Sequence, residues 1–70
     1  MNRYRLYTGP TRVAGVAKVL RDHGFFVVVL GTEHVYFESW HIVPEAWKLL
    51  QDCHVTGFKY QDLQFVGKVG

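Results

Sequence analysis

The chain of 70 residues contains a single cysteine, Cys53, and this scarcity excludes an internal disulfide bond. Cysteine usage therefore gives no sign of an oxidising compartment, and a cytoplasmic location is expected by default. The longest apolar run, residues 25–30, is far shorter than the roughly 18 residues that span a bilayer. The first residues, MNRYRLYTG, also lack the apolar core of a signal peptide. We expect no association with a membrane.

Side chains that bind metals are few and poorly spaced. Besides Cys53 the chain has four histidines, and only His54 lies next to the cysteine. Zinc sites use closely spaced pairs such as C-x₂-C or H-x₃-H, which are absent here. Cys53 and His54 also point about 100° apart if they lie on a helix, so one of them would have to turn away from a shared metal ion. The sequence predicts neither a metal nor another cofactor, and Cys53 is interpreted as a small buried hydrophobe.

The composition is that of a folded domain. Hydrophobic residues make up 49% of the chain and charged residues 20%, whereas disorder requires low hydropathy and high net charge. We predict a single domain over residues 1–70, near the lower length limit for a core without disulfides or partners. The net charge of +2 is uneven, because residues 1–21 hold five bases and no acid. This asymmetry indicates either an anion-facing side or simply solvated basic flanks.

The first half of the chain predicts a strand, a helix and two more strands. Alternation over residues 3–8 predicts strand β1. Pro10 is expected at the first position of helix α1, residues 10–22, whose apolar residues recur with helical spacing. Gly24 is expected in the left-handed conformation after this helix. Strands β2, residues 25–30, and β3, residues 34–40, follow around a turn at residues 31–33.

The second half completes a known order of elements. Pro44 begins helix α2, residues 44–53, and Glu45 favours the positive end of that helix. Strand β4 is predicted at residues 63–69, with residues 58–60 as a lead-in or a short extra strand. The order βαββαβ predicts an α+β fold of the ferredoxin-like type, a four-stranded antiparallel sheet with two helices on one face. Strands β1 and β3 lie in the middle of such a sheet, and β2 and β4 at its edges.

Strand β2 is apolar at every position, FFVVVL, whereas β3 alternates. Because helices cover one face only, one alternating triplet of β2 stays uncovered. The two triplets are Phe25, Val27 and Val29, and Phe26, Val28 and Leu30. We take the first as a dimer edge, since three such side chains left in water forgo about 1.5–3 kcal/mol each. A homodimer or another protein partner is expected, unless the C-terminal segment folds back over the sheet.

The open face of the sheet carries a second candidate surface. If Tyr4 and Leu6 face the helices, five residues are expected on the other side: Arg3, Arg5, Tyr7, Tyr36 and Trp40. Aromatic and arginine side chains interleaved on middle strands are typical of single-stranded nucleic-acid binding. The glycine-aromatic pattern of RNA-recognition folds is missing, and Glu38 would repel phosphate unless it pairs with Arg5. Contact with protein or solvent is therefore the preferred interpretation, and nucleic acid the alternative.

The loop between β1 and α1 is a candidate anion or ligand site. It offers Thr8, Gly9, Thr11 and Arg12 where the N–H groups of a helix point outward, although an ordinary helix entry gives the same pattern. Residues 9–30, GPTRVAGVAKVLRDHGFFVVVL, resemble the first βαβ unit of ACT-type ligand-sensing domains, with Gly-Pro here in place of their Pro-Gly. The resemblance implies side-by-side dimers and a small ligand near residues 8–11.

No acid, base or nucleophile stands in a catalytic motif. Small ferredoxin-like acylphosphatases also place a loop and an arginine before the first helix, but their glycine-rich, glutamine-containing signature is absent from TGPTRVAGVAK. The only asparagine is Asn2. We therefore expect a non-enzymatic regulatory or adaptor domain that acts by self-association and protein binding, as accessory proteins of phages and bacteria do. Single-stranded nucleic-acid binding and small-ligand sensing are the alternative functions.

Overall fold

The computed structural model describes residues 1–69, with the exception of the Val29 side chain. The strands and α-helices in chain order are β1 (Asn2–Tyr7), α1 (Val13–Asp22), β2 (Phe26–Leu30), β3 (His34–Ser39), α2 (Val43–Asp52) and β4 (Leu63–Lys68). The strands form a four-stranded antiparallel sheet in the order β2-β3-β1-β4. The predicted α+β fold of the ferredoxin-like type is confirmed, with β1 and β3 in the middle and β2 and β4 at the edges.

The core lies between one face of the sheet and the two helices. Tyr4 and Leu6 on β1 are fully buried, as are Val35 and Phe37 on β3, and these residues oppose each other in the register. This pattern has the period of two that a half-buried strand requires. The helices, the segment after α2 and the start of β4 supply the rest: Val13, Val16, Ala17, Leu20, Ala46, Leu50, Cys53, Val55 and Leu63.

Both helices end in the same hydrogen-bonded motif. Gly24 follows α1 with φ +85°, which confirms its predicted left-handed conformation. The N–H of Phe25 then donates to the carbonyl of Leu20 over 3.0 Å, which satisfies a carbonyl left open by the helix end. After α2 the left-handed conformation is adopted by His54, φ +62°, and the N–H of Val55 donates to the carbonyl of Leu50 over 2.9 Å.

The two prolines stand at different places relative to their helices. Pro44 is the second residue of α2, close to the predicted first position. Pro10 is not in α1, which begins three residues later than predicted, at Val13. The reason is the preceding turn: Gly9 has φ +78°, and the N–H of Arg12 donates to the Gly9 carbonyl over 3.4 Å. Residues 10–12 therefore form a turn instead of the first helical residues.

The segment between α2 and β4 holds no strand. A short 3₁₀-helix at Tyr60–Asp62 replaces the extra strand expected at residues 58–60, and the Asp62 carboxylate accepts the N–H of Lys59 over 2.8 Å. Strand β4 pairs with β1, on the side of the sheet away from β2. Within residues 1–69 the C-terminal segment does not fold back over the open face of the sheet, where Arg5, Tyr7 and Phe26 stay exposed. Each α-helix has ten residues, and none in this part of the chain is long and apolar enough to cross a membrane.

Candidate interaction surfaces

An apolar strip runs along the edge strand β2. Phe26 is 62% exposed, Val28 41% and Leu30 43%, and these three residues are called the β2 strip below. The strand Phe26–Leu30 contains no charged residue and no proline, which are the usual devices that keep an exposed edge from pairing. Nothing within residues 1–69 packs along this edge. The strip is therefore available to another chain.

The uncovered triplet of β2 differs from the expected one. Phe25 and Val27 pack against the core, and the Phe25 ring lies 5.5 Å from that of Phe37 at 85°. They face the helices because Val27 is opposite the buried Phe37 in the register. Val29 is paired opposite Tyr36 in the backbone, and its side chain, the third member of the predicted dimer edge, lies outside the described residues. The exposed residues of β2 are those of the β2 strip, which runs along the edge: Phe26 is opposite Glu38 on the open face, whereas Leu30 is opposite the buried Val35 on the helix side.

Each edge strand carries a one-residue β-bulge. The register of β2 with β3 shifts at Val28, and that of β4 with β1 shifts at Val66. A bulge bends the strand and interrupts its ladder, so that a long hydrogen-bonded extension by another strand becomes difficult. Val66 is 48% exposed, much as Val28 is. Contacts at either edge are thus expected to depend on side chains more than on a continuous ladder.

The β2 strip continues into a cleft beside Trp40. The cleft has a volume of about 420 Å³, and its lining includes Phe26, Trp40 and Leu49. Trp40 is 76% exposed just after β3 ends. Its segment is held in place because the Tyr4 hydroxyl and the Asn2 side-chain amide, the latter over 3.2 Å, both donate to the carbonyl of residue 41. The tryptophan therefore projects from a fixed backbone.

One exposed apolar residue close to Trp40 in the sequence escaped prediction. Ile42 is 59% exposed and precedes α2 as its N-terminal cap residue. Its backbone is extended, with φ −76° and ψ 167°, so it belongs to neither the strand alternation nor the helical stripe. Sequence periodicity gives no signal for such a position. The only hint in the sequence is that a large β-branched residue, Ile42, comes directly before Val43 and Pro44, the first two residues of α2.

The open face of the middle strands has the predicted alternation. Arg5 and Tyr7 are exposed on β1, and Tyr36 is half-buried on β3 opposite Arg5. Tyr7 is paired opposite His34, and their ring centroids are 5.2 Å apart. The structure thus brings together three of the predicted contact residues and adds His34, whereas Trp40 lies beyond the end of β3 at the cleft.

Glu38 forms its ion pair with Arg3, not with Arg5 as expected. The Nε and Nη2 atoms of Arg3 donate to the same carboxylate oxygen over 3.2 and 2.9 Å. The register explains the choice, since Arg3 is directly opposite Glu38 and Arg5 is opposite Tyr36. Only 16% of the Glu38 side chain is exposed. Its negative charge is therefore neutralised by Arg3, and within residues 1–69 the structure gives Arg5 no acidic partner.

Two backbone donors at the start of the β1–α1 loop are already in use. The N–H groups of Thr8 and Gly9 both donate to the Glu33 carbonyl, over 2.9 and 3.2 Å. The Thr8 hydroxyl donates to the Gly9 carbonyl over 2.9 Å and is buried. Thr11 is exposed in the turn that follows. The first N–H groups of α1, by contrast, receive no side-chain cap, and these are the groups that anion sites at helix starts use. A ligand site at this loop therefore stays a prediction.

Arg12 also has structural contacts that compete with an anion. Its Nη2 donates to the carbonyl of Thr56 over 3.1 Å, and its guanidinium lies 4.3 Å from the centroid of the Phe58 ring. A cation over an aromatic face is attracted by the negative face of the ring. Arg12 therefore ties the start of α1 to the segment before β4.

Cys53 is buried at the end of α2, as expected of a small hydrophobe. Burial, and to a lesser extent the neighbouring Asp52 carboxylate, raises the pKa of its thiol above the ordinary value. The thiol is thus held in its neutral, less nucleophilic form at neutral pH. Within residues 1–69 no three His, Cys, Asp or Glu side chains cluster as metal ligands would.

The chain is defined by its fold and by two exposed surfaces, the β2 strip with the Trp40 cleft and the aromatic open face. Comparison with protein-family models, with curated proteins and with solved structures gives no match. Function is therefore argued from the two surfaces alone.

Proposed function

We propose that the protein is a non-enzymatic interaction domain that self-associates through the β2 strip. Two copies would pack with antiparallel β2 strands about a two-fold axis near Val28. The observation that carries the proposal is the strip itself, which exposes Phe26, Val28 and Leu30 on an edge strand without charge or proline. Large apolar side chains gathered at one exposed site are typical of a protein contact.

A second copy suits this strip because the strip is self-complementary. In a two-fold contact the same patch meets itself, so residue i touches residue j and j touches i. The strand Phe26–Leu30 has five residues with Val28 at its centre. A two-fold contact centred on Val28 therefore brings the two copies of that residue together. The bulge at Val28 puts Phe26, opposite Glu38, on the open face and Leu30, opposite the buried Val35, on the helix side, so these two residues flank the contact on opposite faces of the sheet. No charges of like sign meet across the axis, since the strand has none.

The expected affinity is moderate. Full burial of a large apolar side chain gains about 1.5–3 kcal/mol, and the members of the strip are already about half buried. Association itself costs an estimated 4–15 kcal/mol in lost freedom of motion. Trp40, at the cleft that the strip adjoins, adds the largest exposed apolar surface. A dimer that forms at micromolar to millimolar concentration is therefore expected, rather than at nanomolar concentration.

A cytoplasmic setting and a regulatory role belong to the same proposal. The cytoplasmic setting is supported by the one cysteine, Cys53, which is a buried thiol without a disulfide partner. The regulatory role is supported by the modest affinity, because an association near micromolar concentration responds to changes in the amount of protein.

Cysteine cross-linking tests the position of the two-fold axis. Val28→Cys is expected to give a covalent dimer under mild oxidation, because two thiols near the axis come within disulfide distance. The measurement is the fraction of dimer on non-reducing electrophoresis. Val66→Cys is the matched control, since it replaces the bulge valine of the opposite edge strand and should stay monomeric.

The native thiol does not disturb this comparison. Cys53 is buried, its thiol pKa is raised, and it is present in both variants. Equal cross-linking of the Val28→Cys and Val66→Cys variants would contradict a contact at β2. Cross-linking of the Val66 variant alone would move the contact to the β4 edge.

A further inference from the structure

The open face of the middle strands carries a continuous run of three aromatic rings. Tyr7 and His34 have centroids 5.2 Å apart with planes at 70°, and His34 and Tyr36 are 6.2 Å apart at 43°. Tyr7 is 42% exposed, and the other two rings are partly exposed. Accessible rings gathered on one face of a sheet suit the stacking of nucleobases, because every base has a π face.

The charges on this face also suit a polyanion. Arg5 is exposed, lies directly opposite Tyr36, and has no acidic partner within residues 1–69. Glu38, which supplies the carboxylate among the described residues of β1 and β3 on this face, is held by two hydrogen bonds from Arg3. The repulsion of phosphate that Glu38 would otherwise cause is thereby reduced. What remains is a cation beside aromatic rings, the combination that holds a phosphate next to stacked bases.

A protein partner fits this face less well. The outward positions of β1 and β3 within the described residues hold no aliphatic side chain: Arg3, Arg5, Tyr7, His34, Tyr36 and Glu38. The aliphatic groups that would be buried in a protein contact lie instead along the β2 strip. The two surfaces therefore differ in chemistry, and the edge contact leaves the open face accessible.

We infer that the open face binds single-stranded nucleic acid. Bases stack on Tyr7 and Tyr36, with His34 between them, and Arg5 contacts the phosphate backbone. Binding of this kind is tolerant of sequence and sensitive to salt. The inference does not depend on self-association, since no residue of the β2 strip takes part in it.

Fluorescence anisotropy with a labelled oligothymidylate tests the inference. A strand of about 15 nucleotides covers the site size of a small single-strand binding domain. Saturable binding to the full chain is expected, with affinity that falls as salt rises from about 50 to 200 mM. Tyr7→Ala should weaken binding about 5- to 150-fold. Arg5→Gln should lower the slope of log affinity against log salt by about one.

Matched variants off the face serve as controls. Tyr60→Ala removes a tyrosine of similar exposure, 48%, whose ring packs on Trp47, and Arg21→Gln removes an exposed arginine of α1. Both should bind as the unmodified chain does, and circular dichroism verifies that each variant is folded. Absence of saturable binding up to about 10⁻⁴ M overturns the inference. Binding by the Tyr7→Ala and Arg5→Gln variants that equals binding by the unmodified chain also overturns it. The inference is overturned as well if Tyr7→Ala changes self-association and leaves nucleic-acid binding unchanged, a result that would assign the face to a protein contact.

Discussion

Replacing Phe37 with alanine is expected to lower the free energy of unfolding by about 3–5 kcal/mol. Phe37 is fully buried, and its ring packs against those of Tyr4 and Phe25 at centroid distances of 5.6 and 5.5 Å. A single core in a domain of this size rarely supplies more than about 3–5 kcal/mol. The variant should therefore be largely unfolded at room temperature, as measured by urea titration followed by circular dichroism.

Phe65→Ala provides the comparison for this effect. Phe65 is 50% exposed on β4, and its ring also touches Tyr4, at 5.9 Å. The same truncation there removes less buried surface and leaves no enclosed cavity, so a loss of about 1 kcal/mol is expected. Similar losses for the Phe37 and Phe65 variants would mean that the core is not centred on the inner face of β3.

Val28→Glu is expected to abolish self-association at micromolar concentration. In the proposed dimer the two carboxylates would face each other at the two-fold axis, in a contact that excludes water. Juxtaposed like charges cost several kcal/mol, which weakens the dimer at least about 100-fold. Sedimentation velocity of the variant should give a monomer across the range in which the unmodified chain associates.

Val66→Glu separates this effect from a general loss of stability. Val66 and Val28 are both the extra residue of a bulge on an edge strand, and they have similar exposure, 48% and 41%. The substitution therefore makes the same chemical change in the same local geometry on opposite edges of the sheet. The Val66 variant should associate normally, and a monomeric Val66 variant would count against a contact specific to β2.

Local patterns were sufficient to predict the fold. The alternation of Tyr4 and Leu6, and of Val35 and Phe37, gives the inner face of the two middle strands. The helices followed from their apolar stripes, and Gly24 marked the end of α1. These features depend on residues close together in sequence, so periodicity is enough to find them. The order of elements then restricted the sheet to a ferredoxin-like arrangement.

The features that sequence reasoning missed depend on pairing between distant strands. Because a bulge adds one residue to a strand, Val28 displaces the register of β2, and an all-apolar strand gives no sign of where this happens. The partner of Glu38 also depends on register, which places Arg3 opposite it. His54 ends α2 in the left-handed conformation that usually marks a glycine. Because residue 54 is a histidine and not a glycine, this helix-ending motif could not be recognised from the sequence.

The candidate surfaces were predicted in part. The open-face positions of Arg5, Tyr7 and Tyr36 followed from the alternation of β1 and β3. The exposed residues of β2 did not, because two alternating sets of apolar residues are equivalent in sequence, and only packing against Phe37 and the bulge at Val28 decide which side chains are exposed. Prediction of the side of a strand thus succeeds where polar and apolar residues alternate and fails where they do not.

Sedimentation equilibrium of the unmodified chain tests the central claim, self-association through β2, most directly. The range from about 1 μM to 1 mM covers the affinity expected of the strip. The mean mass is expected to rise from the chain mass of 8.1 kDa towards twice that value, and the Val28→Glu substitution should remove this rise. A mass of 8.1 kDa at every concentration would contradict it.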